Sequence, residues 1–535
     1  MKKWQILGTG DDILQTLLAN RGLTEKKDIE RFLHPQDPAD LTPHDVGIDR
    51  EALDAAIRRI QKAIGKKESI VVYADYDADG ITAGTIMWET LHSLGAQVMP
   101  YIPHRVEEGY GLSQRGIDAV KEKYNPTLII TVDHGITAHE KVAYAREQGI
   151  EIIVTDHHVK PPVLPECITV HTTQLCGAGV SWFVAKELLG EGRDRELVAL
   201  AAIGTIADMV PLLGANRSIA KWGLEALNRT FRPGLVALYS DAGLVKGAIG
   251  TYEISHMIAP RLNAAGRIEH ALEALRLLCT RQGDKAMLLA RKLGLTNKDR
   301  QQMTTDAAAH AVASVGTPQK KLLFLADEHY NQGVIGLVAG KLVEQYYRPS
   351  IVVAKGETIS KASARSVSGF NIVEAIRSCS DILIDVGGHP MAAGFTVETK
   401  NLEGLKKRLE DIADAQLDEE SLTRVLRIDM EVPLAAVTED LWQKLRAFEP
   451  YGFGSPQPAF VTRNVTIEEV RVVGAEGKHL KLRLEGGMEA IGFGLGSFSG
   501  QLRKGAHADI AYSMDMNVWN GRKELQLKIK DIHFP

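Results

Sequence analysis

The chain has few cysteines, few aromatic residues and no long apolar run. Its four cysteines, Cys167, Cys176, Cys279 and Cys379, form no CxxC pair and no zinc-ligand spacing. That excludes a disulfide-stapled secreted domain and a cysteine zinc site, and it predicts free thiols in a reducing cytoplasm. Aromatics are 6% of the residues. No apolar stretch reaches the ~20 residues that a membrane helix needs, so no membrane contact is expected. Asp11 and Asp12 interrupt the N-terminus before a secretory apolar region can form. Positive charge is not in excess either, since the formal net charge is −5. This does not exclude a nucleic-acid partner, because acidic metal ligands enter the total and affinity follows local basic patches.

What is present is ordinary globular composition, 44% hydrophobic and 24% charged, over 535 residues. That length is too great for one core, so an α/β multidomain protein is expected. Residues 1–50 begin with a helical pattern, DDILQTLLANRG, and continue through a Pro- and Asp-rich loop, HPQDPADLTP. Over 51–225 apolar strand-like runs alternate with helices at 81–94, 139–148 and 179–189, which end at Gly95, Gly149 and Gly190. Such alternation predicts βαβ units and a parallel sheet. Residues 226–318 are rich in helix formers and poor in β formers. Strands resume at KLLFLAD, and a second α/β domain is expected over 319–418. From 419 to 535 the segments VTIEEVRVV, LKLRLEG, MEAIGFG, ADIAYSMDM and ELQLKIKDIHF read as five strands with little helix between them. Five such strands suit an OB-like β-barrel.

Three short segments carry the chemistry. Asp75-Tyr76-Asp77-Ala78-Asp79-Gly80 follows SIVVYA, Asp133-His134-Gly135 follows TLIITV, and Asp156-His157-His158 follows IEIIVT. Each apolar run reads as a buried strand, so carboxylates and imidazoles gather at strand ends. In a parallel sheet those ends share one edge, where ligands bind. The pattern DxDxDG also opens an EF-hand loop, but the twelfth position there is Ile86 instead of Glu, and the preceding run is strand-like. A fourth carboxylate, Asp208, ends the apolar run AAIGTIA shortly before Pro211. Helix capping is the plain reading of Asp208; a lone acid in so apolar a stretch also suits a metal ligand. Oxygen donors with imidazole and no thiolate favour Mn²⁺ or Mg²⁺.

These residues resemble the DHH phosphoesterase superfamily, and within it the RecJ single-strand exonucleases. YADYDADG, VDHG, TDHH and GTIADMVPL are similar to that branch's catalytic motifs. PRLNAAGR, SARSVSGFN and GGHPMAAGF look like its linker and DHHA1 motifs, and EPYGFGSPQPAF like a segment that leads into its OB domain. The resemblance runs over roughly residues 50 to 535. It departs at Val170-His171-Thr172-Thr173, where members often carry Asn-Pro and a longer loop. The chain ends soon after the last strand, so the further C-terminal domain of longer members is expected to be absent.

The resemblance implies a DHH catalytic domain at 51–225, a helical linker at 226–318, a DHHA1 substrate-binding domain at 319–418 and an OB-like nucleic-acid-binding domain at 419–535. It implies two divalent ions. Asp77 would bind one ion, Asp79, His157 and Asp208 the other, with Asp133 bridging and Asp75 supporting the first. His158 would be a catalytic group that touches phosphate without binding metal. Arg105, Ser363 and Arg365 would hold a 5′ phosphate. Arg261, Asn263 and Arg267 would face the nucleotide, while Gly387, Gly388 and His389 would allow close approach to phosphate. The activity implied is 5′-to-3′ hydrolysis of single-stranded DNA to 5′-mononucleotides in repair and recombination, by a monomer, with a single-strand-binding protein and a helicase as partners. Two alternatives stand beside it. One is a DHH/DHHA1 phosphodiesterase of short oligonucleotides or cyclic dinucleotides, which generally lacks the C-terminal barrel. The other is a non-catalytic strand-binding relative, which would have lost the metal ligands present here.

Overall fold

The computed structural model describes residues 2–105, 107–190, 192, 195–519 and 522–534, with 518, 519 and 522 by backbone alone. The chain divides into two compact units. The first comprises Arg21–Lys298 with Leu445–Gln457, and the second Met1–Asn20, Asp299–Lys444 and Pro458–Pro535.

In the first unit the strands are Ser69–Ala74, Gln97–Tyr101, Leu128–Val132, Glu151–Asp156 and Ile168–His171. They lie side by side in the order 97–101, 69–74, 128–132, 151–156, 168–171, and every neighbouring pair is parallel. Continuous apolar runs suit this sheet because both faces are covered. Ile70, Val72 and Ala74 enter one core with the helices Ala78–Ser93, Gly177–Leu189 and Leu197–Ala207. Val71 and Tyr73 enter the other, with Ile117, Val120, Val142 and Ala145. Burying each large apolar side chain contributes roughly 1.5–3 kcal/mol. The strand order reverses between 69–74 and 128–132, the crevice where such sheets bind ligands. The carboxylates Asp75 and Asp133 follow those two strands.

Helix Ala78–Ser93 begins three residues before the expected 81. Asp77 caps it, its carboxylate accepting from Gly80 N at 3.0 Å, and so draws Asp79 into the first turn. The linker is helical as expected and contains helices Ala259–Ile268, Leu272–Cys279 and Gly283–Val315. Residues of the last group with the first unit up to Lys298 and with the second from Asp299.

The second unit holds two sheets. One is five-stranded, in the order Leu383–His389, Ala392–Glu398, Ile359–Arg365, Ser350–Ala354, Leu323–Asp327, and only the last two strands pair in parallel. The other contains the five expected C-terminal strands, Phe460–Val473, His479–Leu484, Glu489–Gly492, Arg522–His533 and His507–Trp519. Pairing of His507–Trp519 back onto Phe460–Val473 closes them into a barrel. Two further strands extend it, Val425–Glu431 and Lys3–Gly8. The N-terminal strand went unread in the sequence, where only the helix Ile13–Asn20 after it shows a pattern. Its partner is the strand 425–431, at the far end of the chain.

Candidate metal centre

Five carboxylates and one imidazole meet at the carboxyl edge of the parallel sheet. His157 Nε2 lies 3.1 Å from Asp133 Oδ1, 3.8 Å from Asp208 Oδ2 and 3.9 Å from Asp79 Oδ2. Three overlapping groups have ligand atoms within 4.8 Å of one another: Asp75 with Asp77 and Asp133, Asp79 with His157 and Asp208, and Asp133 with His157 and His158. The residues expected to bind metal thus form one continuous cluster.

The local fold explains how they are held. Asp79 accepts two backbone hydrogen bonds, 2.6 Å from Gly177 N and 2.9 Å from Ala178 N, at the positive end of helix Gly177–Leu189. Asp133 sits at φ 66°, a left-handed conformation that is costly for a residue other than glycine. Asp208 is the C-cap residue of the buried helix Leu197–Ala207. Capping and membership of the cluster are therefore both true of it. Two glycines make room. A Cβ at Gly177 would lie 2.4 Å from Asp133 Oδ1, and one at Gly204 would lie 2.4 Å from Asp79 Oδ1.

The donor set fits divalent cations. Among the described residues Asp75 Oδ1 and Asp133 Oδ1 are buried and accept no hydrogen bond, His157 Nε2 lying beside the latter out of hydrogen-bond geometry. Such atoms are costly unless something charged meets them. Burial and the charges of neighbouring carboxylates hold Asp75, Asp77 and Asp133 above the usual range, and push Asp208 up to about 8. A cluster that repels its own charge in this way is satisfied by cations.

Asp156 is different. Its carboxylate accepts from Ile136 N at 2.8 Å, from His157 N at 2.6 Å, from His158 N at 3.1 Å and from His158 Nδ1 at 2.7 Å. Burial opposes its charge, but the hydrogen bond and charge of His158 prevail and hold it below the usual carboxylate range. Both ring nitrogens of His158 are engaged, since Nε2 lies 3.1 Å from the Tyr110 hydroxyl. Burial disfavours the imidazolium, yet Asp156, Asp75 and Asp208 outweigh it and raise His158 to about 9. The Asp156 hydrogen bond thus favours the protonated form of the ring beside the cluster. Tyr110 was missed in the sequence. It lies in the segment PHRVEEGYG, where nothing local pairs it with His158.

The remaining expected residues divide between the units. Arg105 is in the first unit, its guanidinium carbon 4.9 Å from the Tyr76 ring centre. Val106, beside it, lies outside the described residues. Asn263 Oδ1 accepts from Ala78 N at 2.7 Å and so steadies the start of helix Ala78–Ser93. Arg261 pairs with Asp241 at 3.1 Å and donates to Met257 O at 2.9 Å. Arg267 is close enough for its charge to act on Tyr76. Ser363, Arg365, Gly387, Gly388 and His389 are in the second unit. There Arg365 Nη1 lies 3.3 Å from Ser363 Oγ, and a Cβ on Gly336, in the first turn of helix Ile335–Tyr346, would lie 2.9 Å from that oxygen. Gly388, at φ 137°, and His389 end the strand that pairs with Ala392–Glu398.

Comparison with known proteins agrees with this layout. Residues 69–205 match the DHH family N-terminal domain, 319–415 the DHHA1 domain and 428–531 the RecJ OB domain. The chain is 40% identical over 537 residues to the single-stranded-DNA-specific exonuclease RecJ of Bacillus subtilis, covering 97% of this chain and 67% of that protein. It is 35% identical over 506 residues to RecJ of Thermus thermophilus, covering 93% and 73%. The crystal structure of Thermus thermophilus RecJ in complex with Mn²⁺ superposes with a TM-score of 0.86 at 31% identity, over 100% of this chain and 80% of that one. Its complex with Mg²⁺ gives 0.81 at 29% identity, over 100% and 78%. The chain belongs to the RecJ family of single-stranded-DNA-specific exonucleases.

Proposed function

We propose that this protein hydrolyses single-stranded DNA from the 5′ end, releasing 5′-mononucleotides, with two divalent ions, Mn²⁺ or Mg²⁺, at the carboxylate cluster. The observation that carries the reading is the continuity of the three ligand groups through Asp133 and His157. Asp75, Asp77 and Asp133 would hold one ion, and Asp79, His157 and Asp208 the other, with Asp133 between them. Bound ions would lower the pKa of water for attack and offset charge developing on the phosphate.

The chain's own groups do the rest. Asp156 fixes the orientation of His158 and favours its charged form. Its Nε2 is then the donor to a phosphate oxygen or to the departing 3′ oxygen, with the Tyr110 hydroxyl beside it. The glycines at 177 and 204 keep side chains out of the carboxylate nest. Asn263 holds the start of helix Ala78–Ser93, and with it Asp77 and Asp79. In the second unit Ser363 and Arg365, with the first turn of helix Ile335–Tyr346, offer a phosphate both charge-assisted hydrogen bonds and a positive helix end. We assign them to the 5′ phosphate. Gly387, Gly388 and His389 would allow close approach to phosphate, and in the first unit Arg261 and Arg267 would face the nucleotide while Arg105 would meet phosphate. The closed barrel supports a long single strand as substrate over a cyclic dinucleotide, since such folds track several nucleotides.

The same reading keeps 51–225 as the catalytic domain, 226–318 as linker, 319–418 as substrate-binding domain and 419–535 as the strand-binding domain. It places the enzyme in repair and recombination, acting as a monomer in the cytoplasm with a helicase and a single-strand-binding protein. All four cysteines are free, in keeping with a reducing compartment, and among the described residues no helix is long and apolar enough to cross a membrane. The test is a product analysis with single-stranded DNA, duplex DNA, RNA and cyclic dinucleotide. Mononucleotides from single-stranded DNA alone are expected, and preferential cleavage of the cyclic dinucleotide would refute the reading.

A further inference from the structure

Arg217 is a buried cation without a carboxylate partner among the described residues. Its side chain lies in the first unit and is 1% exposed. It occupies the first turn of helix Gly214–Arg229, the end at which the helix dipole disfavours positive charge. Both features cost stability, so what compensates them identifies the residue's task. The guanidinium spends its donors on four backbone carbonyls. Nε donates to Phe32 O at 2.7 Å, Nη1 to Pro450 O at 3.1 Å, and Nη2 to Phe448 O at 2.8 Å and Glu449 O at 2.9 Å. The Phe32 ring centre lies 3.8 Å from the guanidinium carbon. Lysine lacks the planar fork needed to serve so many acceptors.

Three of those carbonyls belong to Leu445–Gln457, a segment grouped with the first unit although its sequence neighbours are in the second. The segment closes on itself through Gly452 and Ser455, which exchange backbone hydrogen bonds of 2.9 and 3.2 Å. Its tip then grips the loop after Asp208. Leu212 N donates to Phe453 O at 2.8 Å. Gly454, at φ 74°, lies so close that a Cβ would stand 2.8 Å from Pro211 Cβ. The residue before Arg217 completes the hold, as Asn216 Nδ2 donates to Pro211 O at 3.2 Å and to Gln174 O at 2.8 Å. The loop fixed in this way runs from Asp208 through Met209, itself at φ 59°, to Leu213.

We propose that Arg217 is a positioning residue for the metal centre: it anchors Leu445–Gln457 so that the Phe453–Gly454 tip holds Pro211 and Leu212, and thereby sets Asp208 for the ion shared with Asp79 and His157. The inference rests on the two-ion reading of the cluster. It makes the segment before the barrel part of the catalytic site.

The test is Mn²⁺ binding to the full chain, with free ion measured by electron paramagnetic resonance at dialysis equilibrium. Wild type is compared with Arg217→Met, Gly454→Ala, Asp208→Asn and the double variant Gly454→Ala/Asp208→Asn. Gly454→Ala keeps the arginine and its carbonyls, so it decides the matter even if Arg217→Met fails to fold. Expected are two ions on wild type, and one of the two bound about 10–100-fold more weakly in Gly454→Ala, as for losses behind a metal ligand. Asp208→Asn should weaken the same ion, and the double variant should bind no worse than Asp208→Asn alone. A folded Gly454→Ala that binds both ions as wild type does, or a double variant whose losses multiply, overturns the inference. Fewer than two ions on wild type would instead sink the two-ion reading itself.

Discussion

Asp156 Oδ1 accepts a 2.7 Å hydrogen bond from Nδ1 of His158, and the Asp156 side chain is only 1% exposed. The pair separates two roles within one motif. Asp156 has its oxygens taken by four donors, while the neighbouring His157 turns towards Asp133, Asp79 and Asp208. The imidazole assigned to metal and the imidazole assigned to phosphate are thus consecutive residues whose rings face different partners.

His158→Ala should therefore lose turnover by about 10²–10⁴-fold, the usual worth of a positioned proton donor. Its bound-metal content should stay at the wild-type level. Asp156→Asn should also lose turnover with metal retained, because an amide no longer stabilises the imidazolium. An ion missing from His158→Ala by metal analysis would show that His158 is a ligand.

Gly204→Ala tests the packing of the nest. The new methyl would stand 2.4 Å from Asp79 Oδ1 and 2.5 Å from the Ala178 Cβ. Asp79 is tied to Gly177 N and Ala178 N and has no room to retreat. Metal affinity should fall by at least about tenfold. Unchanged affinity in a folded Gly204→Ala would mean that Asp79 is not held where metal binding needs it.

The assignment of Arg365 to the 5′ phosphate is tested by comparing strand ends. A terminal phosphate carries more charge than an internal diester, and a charge-assisted hydrogen bond contributes roughly 1.5–3 kcal/mol. Arg365→Ala should slow turnover of 5′-phosphorylated strands by about 10- to 150-fold. Strands with a 5′ hydroxyl should be poorer substrates of wild type and less affected. Equal losses on both substrates would make Arg365 a general backbone contact.

A buried ion pair holds helix Ala78–Ser93. Arg232 donates to both oxygens of Glu89, at 2.6 and 2.9 Å, with the side chains only 3% and 11% exposed. Glu89→Ala leaves the guanidinium buried with, among the described residues, the Leu278 carbonyl as its one remaining acceptor, and should cost about 3–5 kcal/mol. Amide exchange in helix Ala78–Ser93 should speed up accordingly. Exchange at the wild-type rate would show that the pair contributes little.

Much of this was legible because the informative signals are local. SIVVYA reads as a buried strand from six residues, and the acids after it lie where parallel strands end. LEALRLLC, within the stretch rich in helix formers, forms the helix Leu272–Cys279. Asp208 was reachable because a lone acid in AAIGTIA needs a reason. What stayed hidden depends on partners far away in the chain. Lys3–Gly8 is a short strand whose pairing is with residues 425–431. EPYGFGSP is recognisable as a segment that leads into the barrel, but nothing local shows that Arg217 lies beneath its carbonyls. Tyr110 has no signal at all except the imidazole it meets in space.

One measurement tests the central claim most directly: digestion of single-stranded DNA labelled at either end, with Mn²⁺, with excess chelator, and with Asp133→Ala. With Mn²⁺ the 5′ label should leave as a mononucleotide in the first turnovers while the 3′-labelled strand shortens stepwise. The chelated enzyme and Asp133→Ala should release nothing. Undiminished digestion in chelator, or release of the 3′ label first, would contradict the account.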